Sequence, residues 1–352
     1  MAIDRRNLLK GMAAATLLLP HGAQGRPSGA RFIASRRTPG GDLATVFGAD
    51  GSILASHRLP DRGHGAAVSE DGRAVIFARR PGRFALVLSM ETGRELARIE
   101  APADRHFYGH GFFSADGGRL YATENDFGNA RGVLGVYDAS AGHARIGELD
   151  TYGTGPHQVL PMHGGRHAVV ANGGIETHPD WPRRKLNLPA MRPSLALIDL
   201  KTGALADSAE LGPRLHALSI RHIALAGGEV WFGCQDEAPG PDPRPLVGVY
   251  RPGAGAELIE TSADPAFRAY IGSVAASHDG RRIATTSPRG GVATVWSAET
   301  RRPLETWRIP DVCGVAACGT GFVFTDGLGR IWRGGRVTAE HAAAWDNHIA
   351  GL

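Results

Sequence analysis

The feature that most constrains the fold of this chain is a phrase that recurs along it. A special residue, usually histidine, begins an apolar stretch, which is followed by a turn with Asp-Gly or Gly-Gly and then by a second apolar stretch. Two such runs around a tight turn are typical of a β-hairpin. The copies read HGAAVSEDGRAVIFA from His64, HGFFSADGGRLYAT from His110, HQVLPMHGGRHAVVAN from His157, HIALAGGEVWFG from His222, GSVAASHDGRRIATT from Gly272 and CGVAACGTGFVFTD from Cys313.

Most copies are followed by a second pair of short apolar stretches, such as FALVLSMETGRELARIE and VATVWSAETRRPLETWRI. Four strands in each repeat are typical of a propeller blade. Residues 31–58 supply three further strands, and the terminal phrase WDNHIAGL, with His348, supplies the fourth. Six blades would leave WDNHIAGL without a partner. The sequence therefore predicts an all-β, seven-bladed β-propeller over residues 26–352, closed by pairing of the N- and C-terminal strands.

The first 25 residues have the features of an export signal. The pair Arg5-Arg6 precedes a short apolar run, and small residues follow that run. This pattern resembles a twin-arginine (Tat) signal, which predicts a periplasmic protein, and a general secretory signal is the alternative. No later segment reaches 18 apolar residues, so no membrane span is predicted.

Composition narrows the classes of function. The net charge is only +4 and the arginines are scattered, so nucleic-acid binding is not expected. The three cysteines are too few for a disulfide framework, and the sequence leaves open whether Cys313 and Cys318 pair. We expect a monomer.

Histidine occupies the same position in five of the seven predicted blades. The first strand of a blade lines the central channel, so like residues at its start converge on one axis. Neutral imidazole is a common ligand of transition metals. We therefore predict a transition-metal site, for which iron, copper and zinc are the candidates. The candidate ligands are His64, His110, His157, His222, His348, Cys313, Glu124, Asp126 and His178. The alternative interpretation is that the Gly-His pairs buttress the blades through hydrogen bonds.

A long segment, Gly173 to Ser194, follows the second strand of one repeat. The ends of second strands and the starts of first strands open on the same face, so we expect this segment to cover the channel partly and to carry His178 there. His106 is a further candidate ligand. His163, His167 and His278 are expected in turns on the opposite face.

Several long phrases resemble the bacterial domain-of-unknown-function family 1513. They are VVANGGIETHPDWPRRKLNLPAMRPSLALID, LSIRH, YIGSVA, TSPRGG and WDNH. Members of that family are similar in size and carry Tat-type signals. Their genes often lie beside those of imelysin-type periplasmic iron proteins and of a di-haem oxidase-like protein. The resemblance implies a role in periplasmic iron (or copper) acquisition, with imelysin-like or haem-containing proteins as partners, and it assigns no catalytic residue.

We therefore expect a periplasmic metal-binding propeller that acts in metal acquisition. Two alternatives remain. One is a metal-dependent propeller oxidoreductase or hydrolase that uses the same funnel. The other is an interaction platform for periplasmic iron-uptake partners.

Overall fold

A computed structural model describes residues 29–181 and 184–352. The proposed export signal, residues 1–25, lies outside these residues. The described chain forms seven four-stranded antiparallel sheets arranged around a channel, which is a seven-bladed β-propeller. The predicted fold is thereby confirmed. None of the helices in the described part of the chain is long and apolar enough to cross a membrane.

The sheets are built from 28 strands, and four 3-10 helices connect some of them within the described residues. The strands are β1 (Arg31–Thr38), β2 (Gly41–Gly48), β3 (Ile53–Arg58), β4 (Gly63–Val68), β5 (Arg73–Ala78), β6 (Phe84–Ser89), β7 (Glu95–Glu100), β8 (Arg105–Phe113), β9 (Arg119–Asp126), β10 (Arg131–Asp138), β11 (Ala144–Asp150), β12 (Pro156–Pro161), β13 (His167–Asn172), β14 (Ser194–Asp199), β15 (Leu205–Glu210), β16 (Leu218–Ala226), β17 (Glu229–Asp236), β18 (Val247–Arg251), β19 (Gly255–Leu258), β20 (Ser273–Ala276), β21 (Arg282–Ser287), β22 (Val292–Ser297), β23 (Pro303–Arg308), β24 (Val312–Cys318), β25 (Gly321–Asp326), β26 (Arg330–Arg333), β27 (Arg336–Glu340) and β28 (Ala344–Gly351). The 3-10 helices are Leu188–Ala190, Pro213–Leu215, Glu260–Ser262 and Pro265–Phe267.

Each blade packs both faces of its middle strands against the two neighbouring blades. The middle strands β5 and β6, which read RAVIFA and FALVLS, are therefore buried nearly throughout. The outer strand β7 of the same blade reads ELARIE and alternates between half-buried and exposed positions, because one side of it faces water. The hydrophobic core accordingly lies between blades, in a series of clusters around the ring.

The ring closes where the C-terminal strand β28 pairs with β1, so that the first blade has the order β28-β1-β2-β3. Ile33 pairs with Ala350 and Ala34 with Ile349. The Trp345 ring also packs 5.1 Å from the ring of Phe47 on β2. This pairing gives β1 a partner on its inner edge, which would otherwise present unpaired backbone groups.

Candidate metal centre

Five histidine side chains from five different blades meet in the channel. The centroids of neighbouring rings lie 4.5–6.0 Å apart. Each histidine stands on an innermost strand: His64 on β4, His110 on β8, His157 on β12, His222 on β16 and His348 on β28. Four are buried and His157 is half-buried. We call these five residues the histidine layer.

Bulges in the innermost strands aim these side chains at the axis. In β4, β8 and β12 the pairing with the second strand shifts register across the histidine itself. In β16 the shift falls between Ile220 and His222, and in β28 the unpaired stretch includes His348. A bulge bends the strand and redirects the side chains within it. The histidine layer therefore depends on local backbone irregularity as well as on blade symmetry.

Two glycines make room for the rings. A Cβ atom on Gly65 would lie 2.8 Å from Nδ1 of His110, and one on Gly109 would lie 2.6 Å from Cδ2 of His64. Gly109 also has a φ of 101°, which favours glycine. The recurring Gly-His and His-Gly pairs thus permit close packing of the imidazoles.

Hydrogen bonds fix the proton on Nδ1 of two rings. Nδ1 of His64 lies 3.2 Å from a carboxylate oxygen of Asp346, which accepts a hydrogen bond when ionised. Nδ1 of His222 lies 3.3 Å from Oε1 of Gln158, and the backbone N–H of Ile223 donates to that same oxygen, so the oxygen is an acceptor. Both rings therefore donate from Nδ1 and keep the lone pair of Nε2 for another partner.

The other three rings have buried nitrogens without a hydrogen-bond partner among the described residues. These atoms are Nε2 of His110, Nδ1 of His157 and Nε2 of His348. Nδ1 of His348 lies 3.3 Å from the hydroxyl of Ser273. Buried polar atoms without partners are uncommon in folded proteins, and each calls for a physical reason, such as an ion that they bind.

Burial also keeps the histidine layer neutral. It lowers the pKa of His64, and it holds the pKa of His110, His157, His222 and His348 well below 6.5, with smaller contributions from neighbouring histidines. Burial alone would raise the pKa of Asp346, but the hydrogen bond to His64 and the nearby arginines outweigh it and hold that pKa below its usual range. Neutral imidazole is the form that binds a metal ion.

The histidine layer offers two overlapping sets of three ligand atoms. One set is His64, His110 and His157, and the other is His110, His222 and His348. Within each set the atoms lie within 4.8 Å of one another. Nitrogens that share one ion at bonds of about 2.0–2.1 Å are at most about 4.2 Å apart, so small ring rotations suffice. The imidazole donors and the hydrogen bonds behind them therefore fit a transition metal ion.

The structure does not bring four of the sequence-predicted ligands to the histidine layer. The Cys313 thiol lies 3.4 and 3.5 Å from the carbonyl oxygens of Thr325 and Trp345, and burial raises its pKa, so it remains protonated. It is a free cysteine, as is Cys318. The position of Cys313 matches that of the histidines, but its side chain is turned towards the backbone.

Glu124 and Asp126 have other partners within their own blade. Glu124 is fully buried, accepts a hydrogen bond from Tyr137 at 2.6 Å and pairs with Arg145 at 2.9 Å. Asp126 pairs with Arg131 and with Arg105 at 2.9 and 3.1 Å. Each carboxylate is therefore neutralised where it stands and is not part of either ligand set.

His178 lies at the rim of the channel. Its ring packs against those of Phe127 and Trp181, and its Nδ1 accepts from the backbone N–H of Asp180. His106 is also outside the layer: its ring contacts Asn125 and the Phe107 carbonyl, and burial lowers its pKa to about 4.

The segment from Gly173 to Ser194 lies on the face where the second strands end. Thr177 receives hydrogen bonds from Asn125, and its hydroxyl lies 3.1 Å from that of Tyr108, a residue of the channel mouth. No described residue of this segment lines the cavity above the histidines. The segment therefore lies on the predicted face and contacts a residue of the channel mouth, and its partial cover of the channel stays a prediction.

Two cavities meet the histidine layer from opposite sides. The first, of about 520 Å³, is lined by Arg62, His64, Arg79, Arg80, Tyr108, His157, Arg221, His222, Tyr270 and Asn347. We call it the arginine cavity. The second, of about 320 Å³, contacts His110 and His348 and is lined mainly by apolar residues such as Leu160, Ile223, Val274, Val315 and Ile349. We call it the apolar cavity. His278 lies in an exposed turn after β20, as expected, and is one of the residues that line this cavity.

Sequence reasoning missed the residues that orient the imidazoles. Asp346 stands 282 positions from His64, and Ser273 stands 75 from His348. Ser273 directly follows the repeated position of its blade, and Asp346 stands two residues before that position in its own blade. The repeat therefore contained a usable signal, since the residues around that position lie close to the axis.

Fold and site together define a seven-bladed β-propeller whose channel is crossed by a layer of buried histidines. The chain belongs to the family described as protein of unknown function DUF1513, whose model matches residues 57–352. No curated protein matches the sequence.

Solved propellers share the fold. Hydrazine synthase of Kuenenia stuttgartiensis is similar with a TM-score of 0.60 and 12% identity, over 81% of this chain and 86% of that one. The Cps50 (Swd1) propeller domain of Myceliophteria thermophila is similar with a TM-score of 0.61 and 12% identity, over 86% of this chain and 93% of that one. At this identity the likeness concerns the fold alone.

Proposed function

We propose that this protein binds a transition metal ion in the histidine layer and acts in periplasmic acquisition or homeostasis of that metal. The observation that carries the proposal is the convergence of five imidazoles, four of them buried, of which three have a buried nitrogen without a partner among the described residues. A metal ion would satisfy these nitrogens, and neutral rings need no proton release to bind it.

The arrangement behind the rings also supports binding. A metal-bound histidine commonly donates its second ring nitrogen to a carboxylate, a carbonyl or a hydroxyl. Asp346 and Gln158 accept from His64 and His222 in this manner. The competing interpretation, in which the histidines buttress blades, calls for ring nitrogens bonded to the backbone. Within the described residues, no ring nitrogen of the histidine layer has a backbone partner.

Iron is the ion we propose first, with copper and zinc as alternatives. All three accept imidazole nitrogen, so the donor set does not separate them. The preference for iron comes from the family resemblance, which also points to imelysin-like or haem-containing partners. Export by the twin-arginine pathway and residence in the periplasm belong to the same proposal.

The decisive experiment is the metal content of the protein purified from its native host without chelators or a histidine tag. We expect about one ion per chain by mass spectrometry. The variant H110A/H157A removes two ligands from the first set and one from the second, and should lose the ion while its circular dichroism spectrum is retained. H163A, on the turn between β12 and β13, is the matched control and should keep the metal.

Two results would refute the proposal. One is a native protein that contains no metal and takes up no Fe(II), Cu(II) or Zn(II) on titration. The other is an H110A/H157A variant that unfolds but keeps the wild-type metal content per folded molecule, which would make the histidines structural.

One observation favours an enzyme as a second candidate. The arginine cavity opens directly onto three histidines and has room for a small substrate beside a bound ion. A metal-dependent oxidoreductase or hydrolase would turn over a substrate there, whereas a metal-binding protein would release the ion to a partner. Turnover that requires the metal and is lost in H110A/H157A would favour the enzyme.

A further inference from the structure

The arginine cavity has an excess of positive charge. Four guanidinium groups line it, from Arg62, Arg79, Arg80 and Arg221. Two carboxylates contact them: Asp346 lies 2.5 Å from Arg62 and 3.7 Å from Arg79, and Glu237 lies 3.2 Å from Arg221. Two positive charges are therefore left over. Arg80 has no carboxylate partner within residues 29–181 and 184–352.

Part of this charge is held where water solvates it poorly, whereas the side chains of Arg62 and Arg79 are 39% and 41% exposed. The side chain of Arg221 is only 16% exposed, and Glu237, its partner, is shared with Lys185. Burial lowers the pKa of Arg221 and of Arg79; the nearby Glu237 and Asp346 carboxylates oppose this shift, and neighbouring arginines add to it. Like charges gathered at a partly buried site destabilise the fold unless an anion joins them.

The remaining lining groups are hydrogen-bond donors suited to an oxyanion. Tyr108 and Tyr270 present hydroxyl groups, and the amide of Asn347 donates to the Tyr270 hydroxyl at 3.2 Å. The guanidinium of Arg289 stacks 4.9 Å above the Tyr270 ring and adds further positive charge at the rim. The fork of an arginine matches two oxygens of a carboxylate or phosphate at once.

We propose that the arginine cavity binds a small oxyanion with two or more negative charges, of carboxylate or phosphate type. His64, His157 and His222 line the same cavity, so an oxygen of this anion would complete the coordination of an ion held by the histidines. That link to the metal rests on the proposed function, whereas binding of the anion itself does not. The metal would then be held together with its anionic ligand.

Calorimetric titration of the full chain at low ionic strength tests the anion site. The probes are oxalate, inorganic phosphate and, as a monoanion, acetate. We expect oxalate or phosphate to bind the metal-free protein at least tenfold more tightly than acetate. Tighter binding of oxalate identifies a carboxylate ligand, and tighter binding of phosphate identifies a phosphate ligand. Equal, weak binding of all three would overturn the inference.

Variants locate the anion. R80Q/R221Q removes two positive charges and leaves Glu237 paired with Lys185, so we expect at least tenfold weaker binding with an unchanged fold. R80Q alone guards against misfolding of the double variant. R308Q removes an exposed charge on β23 and should bind as the wild type does. Unchanged affinity in both R80Q and R80Q/R221Q would overturn the inference.

Cobalt(II) reports the link to the metal. Addition of the preferred anion to the Co(II)-loaded protein should shift the visible absorption of the ion, and loading should tighten anion binding at least tenfold. If no metal loads but R80Q/R221Q abolishes anion binding, the proposed function fails and the anion site stands. If the metal loads and no anion binds, the anion site fails and the metal centre stands.

Discussion

The two cavities on either side of the histidine layer differ in what their walls contribute. The arginine cavity is lined by four guanidinium groups and two tyrosines, whereas the apolar cavity is lined by side chains such as Val274, Val315 and Ile349. Apolar walls stabilise the fold through burial. Arginines gathered in one wall instead lower the stability of the fold, and in the proposed function they would recognise an anion. On the proposed function, stability and ligand binding would be separated along one channel, with the histidines at the boundary.

This separation also gives the channel a direction. A metal complex of net negative charge would be attracted to the arginine cavity. There it would meet the rings of His64, His157 and His222. The apolar cavity offers no such attraction. On the proposed function, an ion that arrives with its anionic ligand would therefore exchange from the arginine side.

The strand that both cavities share should produce the largest effect when it is removed. β28 supplies Asn347 to the arginine cavity and Ile349 to the apolar one. Deletion of residues 345–352 exposes β1 and opens the ring, so we expect no cooperative thermal unfolding transition and aggregation on size-exclusion chromatography. Deletion of the exposed Leu352 alone is the control. A soluble truncated chain with the native circular dichroism spectrum would contradict this prediction.

Acid should destabilise the protein through the histidine layer, which lies between the two cavities. Burial lowers the pKa of the five histidines in the folded protein, so below about pH 6.5 the unfolded chain binds more protons. The free energy of unfolding should therefore fall with pH from that point, by up to about 1.4 kcal/mol per pH unit for each histidine. Urea unfolding of the metal-free protein between pH 8 and 5 measures this dependence of the free energy of unfolding on pH.

The variant H110A/H157A provides the comparison for this acid effect. It lacks two of the titrating rings, so its free energy of unfolding should depend less steeply on pH than that of the wild type. Parallel pH profiles for the two proteins would show that these histidines do not titrate differently on unfolding.

A charge placed in the apolar cavity should cost about 3 kcal/mol. Val274 is only 6% exposed, and V274D would leave a carboxyl group there among apolar side chains. V274T, which keeps the shape and adds a neutral hydroxyl, should cost less. Chemical denaturation of both variants measures the difference, and equal stability of V274D and the wild type would mean that this cavity is well solvated.

Removing a charge from the arginine cavity should have the smallest effect. R80Q relieves repulsion among the arginines and breaks no ion pair with a described residue, so the free energy of unfolding should change by less than about 0.5 kcal/mol. A slightly higher free energy of unfolding for R80Q than for the wild type at low salt, with no difference at 0.5 M NaCl, would show that the arginines repel one another. A loss of several kcal/mol would instead place Arg80 among the structural residues.

The fold was accessible from the sequence because each blade repeats one pattern. The hairpin phrases, the alternation in the outer strands and the unpaired WDNHIAGL sufficed to predict seven blades and their closure. Symmetry also predicted that residues at one repeated position face a common axis, which is where the structure places the five imidazoles.

The details of the site could not be predicted from the sequence in the same way. Whether a residue at that position faces the channel depends on its bulge, and Cys313 turns instead towards the carbonyls of Thr325 and Trp345. The arginine cavity gathers Arg62 and Arg79 from strand ends and Arg221 from the bulge of β16, and their approach follows from the packing of blades and not from a local pattern. The ion pairs that neutralise Glu124 and Asp126 were hidden for the same reason.

The closing strand also sets the order in which the centre can be assembled during synthesis. β28 follows every other strand of the ring along the chain, and it carries both His348 and Asp346. Until it emerges and docks on β1, one of the two ligand sets lacks a member and His64 lacks the carboxylate that orients it. A nascent chain therefore cannot present the complete centre, and occupancy by metal would report that the ring has closed.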